Sequence, residues 1–129
     1  MKRILIVDDS PLIRSSLRVV LEEQLGMAVV EAENGSDGID KAQKLQPDLI
    51  VIDLVMPVMN GIDASRVLKR LMPAVPIVMF TTFADPHLKN AAFAAGVQAV
   101  FDKTDAAAEL IGSIQQWLLN ELPPPASAA

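Results

Sequence analysis

The sequence has no cysteine at all, which rules out a disulfide framework and any thiolate-bound zinc site. Long apolar runs are missing too. No stretch approaches the roughly eighteen consecutive apolar residues that a membrane span needs. The opening Met1-Lys2-Arg3-Ile4-Leu5-Ile6-Val7 has cations before apolar residues, but the run stops at Asp8-Asp9, too soon for an export signal. A cytoplasmic location is the expectation, with no membrane partner. Positive charge is scarce: 11 Lys and Arg face 16 Asp and Glu, a net charge of −5. That balance argues against nucleic acid as a direct partner, because phosphate backbones call for a basic face. The sequence also lacks a glycine-rich phosphate cradle of either G-x-G-x-x-G or G-x-x-x-x-G-K-[ST] form, which argues against a flavin or nucleotide module.

What is present is an aliphatic chain of 129 residues, 51% apolar. That length fits one domain and buries roughly two-thirds of its unfolded surface. Short apolar runs alternate with longer amphipathic stretches, the pattern of repeated strand–helix units in an α/β protein. The runs Ile4–Val7, Ala28–Glu31, Leu49–Ile52, Ile77–Phe80 and Ala99–Phe101 are near-continuously apolar, as in parallel strands covered on both faces. Ser10 as N-cap and Pro11 behind it start a first helix with a stripe of Ile13, Leu17, Val20 and Leu21, stopped by Gly26. Further helices are predicted over Ser36–Leu45 (ended by Pro47), Ile62–Leu71 (Val67, Leu68 and Leu71 inward), Pro86–Ala95 and Ala106–Leu119 (Leu110, Ile111, Ile114 and Leu118 inward). Five β–α units make a doubly wound parallel sheet.

In such sheets ligands sit outside the carboxyl ends of the strands, and right-handed crossovers bring those ends to one edge. The polar residues just past each apolar run are Asp8 and Asp9, Asp53, Thr81 and Lys103. Clustered carboxylates repel and raise one another's pKa unless a cation neutralises them. An all-oxygen donor set near a phosphate suits Mg²⁺, held by Asp9 and Asp53 with Asp8 acting through water. A free oxygen of Asp53 can attack phosphorus in line, while Lys103 and the Thr81 hydroxyl meet the developing charge. Taken singly, each residue has a plainer reading: aspartates as helix caps, Lys103 as a solvated lysine, Thr81 as a strand residue with Thr82 as its competitor. The spacing from the apolar run favours Thr81. A phosphohydrolase with an Asp-x-Asp pair is disfavoured, since Val55 stands two residues after Asp53. His87, the one histidine, is expected to be exposed and idle. Trp117, Leu118 and Leu119 read as core and fringe.

Five blocks carry a family resemblance: Ile4-Leu-Ile-Val-Asp8-Asp9-Ser10, Asp53-Leu-Val-Met-Pro57-Val-Met-Asn-Gly61, Pro76-Ile-Val-Met-Phe-Thr81-Thr82, Ala95-Gly96 and Phe101-Asp102-Lys103. In order and spacing the chain resembles the response-regulator receiver domains of two-component signalling, over about residues 2 to 120. The resemblance implies a flavodoxin-like fold with strand order 2-1-3-4-5 and five helices. It implies phosphotransfer onto Asp53 from a sensor histidine kinase or phosphotransfer protein, with Thr81 as switch hydroxyl and Lys103 as phosphate-binding lysine. It implies Mg²⁺ on Asp8, Asp9, Asp53 and the backbone carbonyl of Val55. Such a domain is not a classical enzyme; it acts only on its own phosphoryl group. Its output would be a downstream protein or a homodimer bound through the fourth and fifth helices. Residues 1–121 would form the receiver domain and 122–129 a disordered Pro/Ala tail or linker stump. Two departures stand out. Thr104 follows Lys103 where the family usually has proline, and Val100 occupies the place of a rotating aromatic, with Phe101 facing the other way. Apolar Val55 and Phe83, each two residues past a site residue, are expected to slow loss of the phosphoryl group to water.

Overall fold

The computed structural model describes residues 1–82 and 84–119; the expected tail and Phe83 lie outside them. The apolar runs form five parallel strands, β1 (Arg3–Val7), β2 (Ala28–Ala32), β3 (Leu49–Ile52), β4 (Ile77–Thr81) and β5 (Ala99–Asp102), in the order β2-β1-β3-β4-β5. Five α-helices alternate with them: α1 (Pro11–Val19), α2 (Gly35–Leu45), α3 (Gly61–Leu71), α4 (Pro86–Ala94) and α5 (Ala107–Leu119). No described helix is long and apolar enough to cross a membrane.

Strand alternation splits the core into two layers. Ile4 and Ile6 face Leu17, Leu21, Leu110 and Ile114 of the α1/α5 side. Leu5 and Val7 face Ala42, Ala64, Leu68 and Ala92 of the α2/α3/α4 side. Val100 belongs to the second layer and Phe101 to the first, so the two do point in opposite directions.

The helix starts are set by side-chain caps. The Ser10 hydroxyl accepts from Ile13 N–H at 3.2 Å, Asn34 Oδ1 from Asp37 N–H at 2.8 Å, Asn60 Oδ1 from Asp63 N–H at 2.9 Å and Asp85 Oδ1 from Leu88 N–H at 2.9 Å. α2 and α3 therefore each begin one residue earlier than their apolar patterns indicate. Beyond Val19 the first helix widens into a π-helical turn (Val20–Gln24) before Gly26, at φ +66°, closes it. Leu17 and Leu21 stay buried across the change while Val20 is only half-buried. One inward assignment is corrected. Leu71 is 45% exposed, and Met72, just past the end of α3, turns inward in its place.

Two glycines inside helices make a contrast. A Cβ on Gly38 of α2 would lie 2.9 Å from Val7 Cγ2 of the sheet, whereas one on Gly112 of α5 would meet nothing within 4 Å. Gly112→Ala is expected to raise stability by about 0.5–1 kcal/mol through backbone entropy. Gly38→Ala gains the same entropy but overpacks a stiff β-branched neighbour, so its urea midpoint is expected to fall below wild type. Equal gains from both substitutions would contradict this packing of α2 on β1.

Candidate functional site

Register brings the strand ends together. Asp53 N–H donates to Val7 O at 2.9 Å and Asp8 N–H to Ala32 O at 3.0 Å, which places the residues after β1 and β3 side by side. Lys103 N–H donates to Thr81 O at 3.0 Å, tying the end of β5 to that of β4. All five predicted side-chain positions thus lie on one edge of the sheet.

The carboxylates of Asp8, Asp9 and Asp53 each offer an oxygen within 4.8 Å of the others. Asp8 and Asp53 are buried and Asp9 is exposed. Lys103 Nζ lies 2.7 Å from Asp8 Oδ2 and 3.0 Å from Asp53 Oδ2. The other oxygens of the buried pair face backbone donors: Ser10 N–H reaches Asp8 Oδ1 at 2.9 Å and Leu54 N–H reaches Asp53 Oδ1 at 2.8 Å. Burial pushes the Asp8 carboxyl above its ordinary value, because the hydrogen bonds from Lys103 and Ser10 only partly offset the lost hydration and the Asp53 charge adds to the rise. Lys103 is also desolvated, yet its hydrogen bonds to Asp8 and Asp53 win, and its ammonium is held above the ordinary lysine value. One cation thus serves two anions.

Thr81 is fully buried at the end of β4, and Thr82 beyond it is exposed. Val55 lies in the loop after β3 and is 53% exposed. His87 is exposed, as expected. The Lys103–Thr104 peptide is trans.

The loop from Asp53 to α3 is tightly folded. Gly61 N–H donates to Leu54 O at 2.8 Å, and a Cβ on Gly61 would stand 2.0 Å from the Asp53 carbonyl oxygen. Only glycine allows that approach. Within the same loop, Met59 N–H donates to Pro57 O at 2.8 Å around Val58, whose φ is +71° and which is 81% exposed. A β-branched residue in that region is strained, at a cost of about 1–3 kcal/mol.

A model of the response regulator receiver domain matches residues 4–115. The chain belongs to that family. Response regulator protein VraR of Staphylococcus saprophyticus is 33% identical over 120 residues, covering 92% of this chain and 57% of VraR. Transcriptional regulatory protein LiaR of Bacillus subtilis is 36% identical over 116 residues, covering 89% of this chain and 55% of LiaR. The receiver thus spans little more than half the length of these curated relatives. The response regulator protein TrrA of Thermotoga maritima, crystallised in complex with Mg²⁺-BeF, is similar in structure with a TM-score of 0.82 and 28% identity, covering 92% of this chain and all of that one, 100%.

Sequence reasoning about this receiver missed Arg14. Its Nη1 donates to Asp8 O at 2.6 Å and its Nε to Glu31 Oε1 at 2.9 Å, while Arg18 Nε holds Glu31 Oε2 at 2.7 Å. The acidic turn is thereby clamped to β2. Nothing in the helical periodicity marks Arg14 for this role; only the packing of α1 beside β2 reveals it. Burial raises the Glu31 carboxyl, but the hydrogen bonds from Arg18 and Arg14 outweigh it and hold the group below the ordinary value of 4.5. A lowered acid adds stability above its unfolded-state pKa and loses it as pH falls through the folded-state value. The difference in urea midpoint between wild type and Glu31→Gln is therefore expected to be full at neutral pH and to shrink as the pH falls below 4.5 and through the lowered folded-state value. A difference that persists unchanged into acid would contradict the clamp.

Proposed function

We propose that this receiver takes a phosphoryl group onto Asp53 in a Mg²⁺-dependent reaction, with a sensor histidine kinase or phosphotransfer protein as donor. One observation carries the reading. Three carboxylates gather around a single ammonium, leaving two negative charges in excess, a deficit that one divalent cation matches. The donors are all oxygens, and Asp9 is open to solvent, which suits a cation that keeps part of its water shell.

Asp8, Asp9, Asp53 and the Val55 carbonyl would hold the metal, which when bound supplies positive charge to the phosphoryl oxygens. The chain's own residues do the rest. An oxygen of Asp53 attacks phosphorus, an acyl phosphate bond forms, and the bond from phosphorus to the donor's imidazole nitrogen breaks with its electron pair leaving on that nitrogen. Lys103, already at the acceptor, stays with the phosphoryl group as a point positive charge. The Thr81 hydroxyl donates a hydrogen bond to another phosphoryl oxygen. Both act through charge and position, which is where phosphoryl transfer draws its acceleration. Domain limits at residue 121, a cytoplasmic setting, and a protein target or second copy on the α4/α5 face complete the proposal. With its net charge of −5 the receiver is not proposed to touch nucleic acid itself.

Acetyl phosphate with Mg²⁺ is expected to add one phosphoryl mass to wild type and none to Asp53→Asn, measured by intact-protein mass spectrometry. Chelation should abolish labelling of wild type. Equal labelling of the mutant would overturn the assignment.

A further inference from the structure

We propose that Asp102 and Thr104 form a staple that positions Lys103 at the acceptor carboxylate, an inference that rests on the reading of Asp53 as phosphoacceptor. Lys103 hangs between the last residue of β5 and the start of α5, on a connection with no regular structure of its own. Asp102 closes that connection from its side chain. Its Oδ1 accepts from Thr104 N–H at 2.8 Å and from the Thr104 hydroxyl at 2.6 Å. Its backbone carbonyl accepts from Ala106 N–H at 2.9 Å. An aspartate that bonds the backbone two residues on mimics a turn, and here the turned residue is Lys103 itself.

The staple acts on the direction in which the lysine leaves the backbone. Asp102 pairs with Thr81 in the β4–β5 register, and Lys103 N–H is fixed to Thr81 O at 3.0 Å. With the preceding residue held by the sheet and the following one by Asp102 Oδ1, the Cα–Cβ vector of Lys103 has little freedom. The flexible stem then has a short search to reach Asp8 Oδ2 and Asp53 Oδ2. Lysine brings no rigidity of its own, since its charge sits on a freely rotating four-carbon stem. Preorganisation must come from the backbone, and the double hydrogen bond at Thr104 provides it. The two bonds from Thr104 also hold the Asp102 carboxyl below its ordinary value, so the acceptor is the ionised form. Thr104 is exposed and Asp102 half-buried. Water replaces these bonds when they are lost, so the staple affects position far more than global stability.

The test compares Asp102→Ala, Asp102→Asn and Thr104→Val in the full chain, with and without Lys103→Met. The readouts are the rate of labelling by acetyl phosphate at fixed Mg²⁺ and the concentration of beryllofluoride needed for half-saturation. Asp102→Ala is expected to slow labelling about tenfold, a modest share of what misplacing a catalytic group by an ångström costs, with the urea midpoint nearly unchanged. Asp102→Asn keeps the Oδ1 acceptor without the charge and should label like wild type; Thr104→Val should fall between. On the Lys103→Met background Asp102→Ala should have no further effect, because its influence runs through the lysine. In the metal-free protein, exchange of the Lys103 amide should quicken in Asp102→Ala and not in Asp102→Asn. A wild type that labels at Asp53 beside an Asp102→Ala that labels equally fast would overturn the staple alone. An additive loss on the Lys103→Met background would do the same, and a wild type that does not label at all would overturn both readings.

Discussion

One ammonium shared between two buried carboxylates is the interaction on which this receiver's site depends. Lys103 Nζ sits within 3.0 Å of both Asp8 and Asp53, residues that follow different strands and lie 45 positions apart in the chain. Neither carboxylate is accessible enough for water to compensate it fully. Leaving either uncompensated would cost several kcal/mol, on the order of 3–5 for a buried pair broken on one side. The lysine thus closes the β1, β3 and β5 ends into one pocket. It does so incompletely, because the third carboxylate, Asp9, leaves the pocket two charges negative. The same arrangement that joins these strand ends is what a divalent ion would complete.

Around that pair the backbone is fixed by means that differ from loop to loop. The turn after β1 is held from outside by the Arg14 guanidinium on the Asp8 carbonyl. The turn after β3 is held by close approach, with Gly61 against the Asp53 carbonyl and the Asn60 cap starting α3 immediately beyond. The turn after β5 is held by the Asp102 side chain. The strain at Val58 falls in the loop that follows Asp53, beside the carboxylate cluster, the kind of place where a fold tolerates an unfavourable backbone. The hydrophobic layers on either side of the sheet make such local costs bearable. The residues of β3 and β4 are wholly buried and those of β1 nearly so, which anchors the strand ends that carry the charges.

Much of this was legible in the sequence. Buried parallel strands are near-continuously apolar, so Ile4–Val7, Leu49–Ile52 and Ile77–Phe80 announced themselves, and the polar residue after each was then placed by topology. Thr81 ends β4 and Thr82 follows it, an order that the length of the apolar run already sets. Less visible was whatever depends on contacts between elements. The widening at Val20–Gln24 leaves the Leu17 and Leu21 stripe intact, so periodicity does not register it. Leu71 fits the α3 stripe by spacing, but the helix ends there and Met72 takes its place in the core. Asn34 and Asn60 precede glycines, which drew the predicted helix starts past the caps. The positive φ at Val58 has no local signature, since Pro-Val is not turn chemistry that favours it. That Lys103 bridges two carboxylates, and that Arg14 reaches the Asp8 backbone, are facts of packing.

Under the proposed function, a charge deficit of two, set by three carboxylates and one lysine, would govern Mg²⁺ binding in this pocket. Calorimetric titration of Mg²⁺ into Lys103→Met tests it most directly. Removing the shared ammonium leaves a third uncompensated charge, and the account predicts tighter Mg²⁺ binding than wild type, by about tenfold, at unchanged one-to-one stoichiometry. Mg²⁺ affinity that stays the same or weakens in Lys103→Met would contradict it.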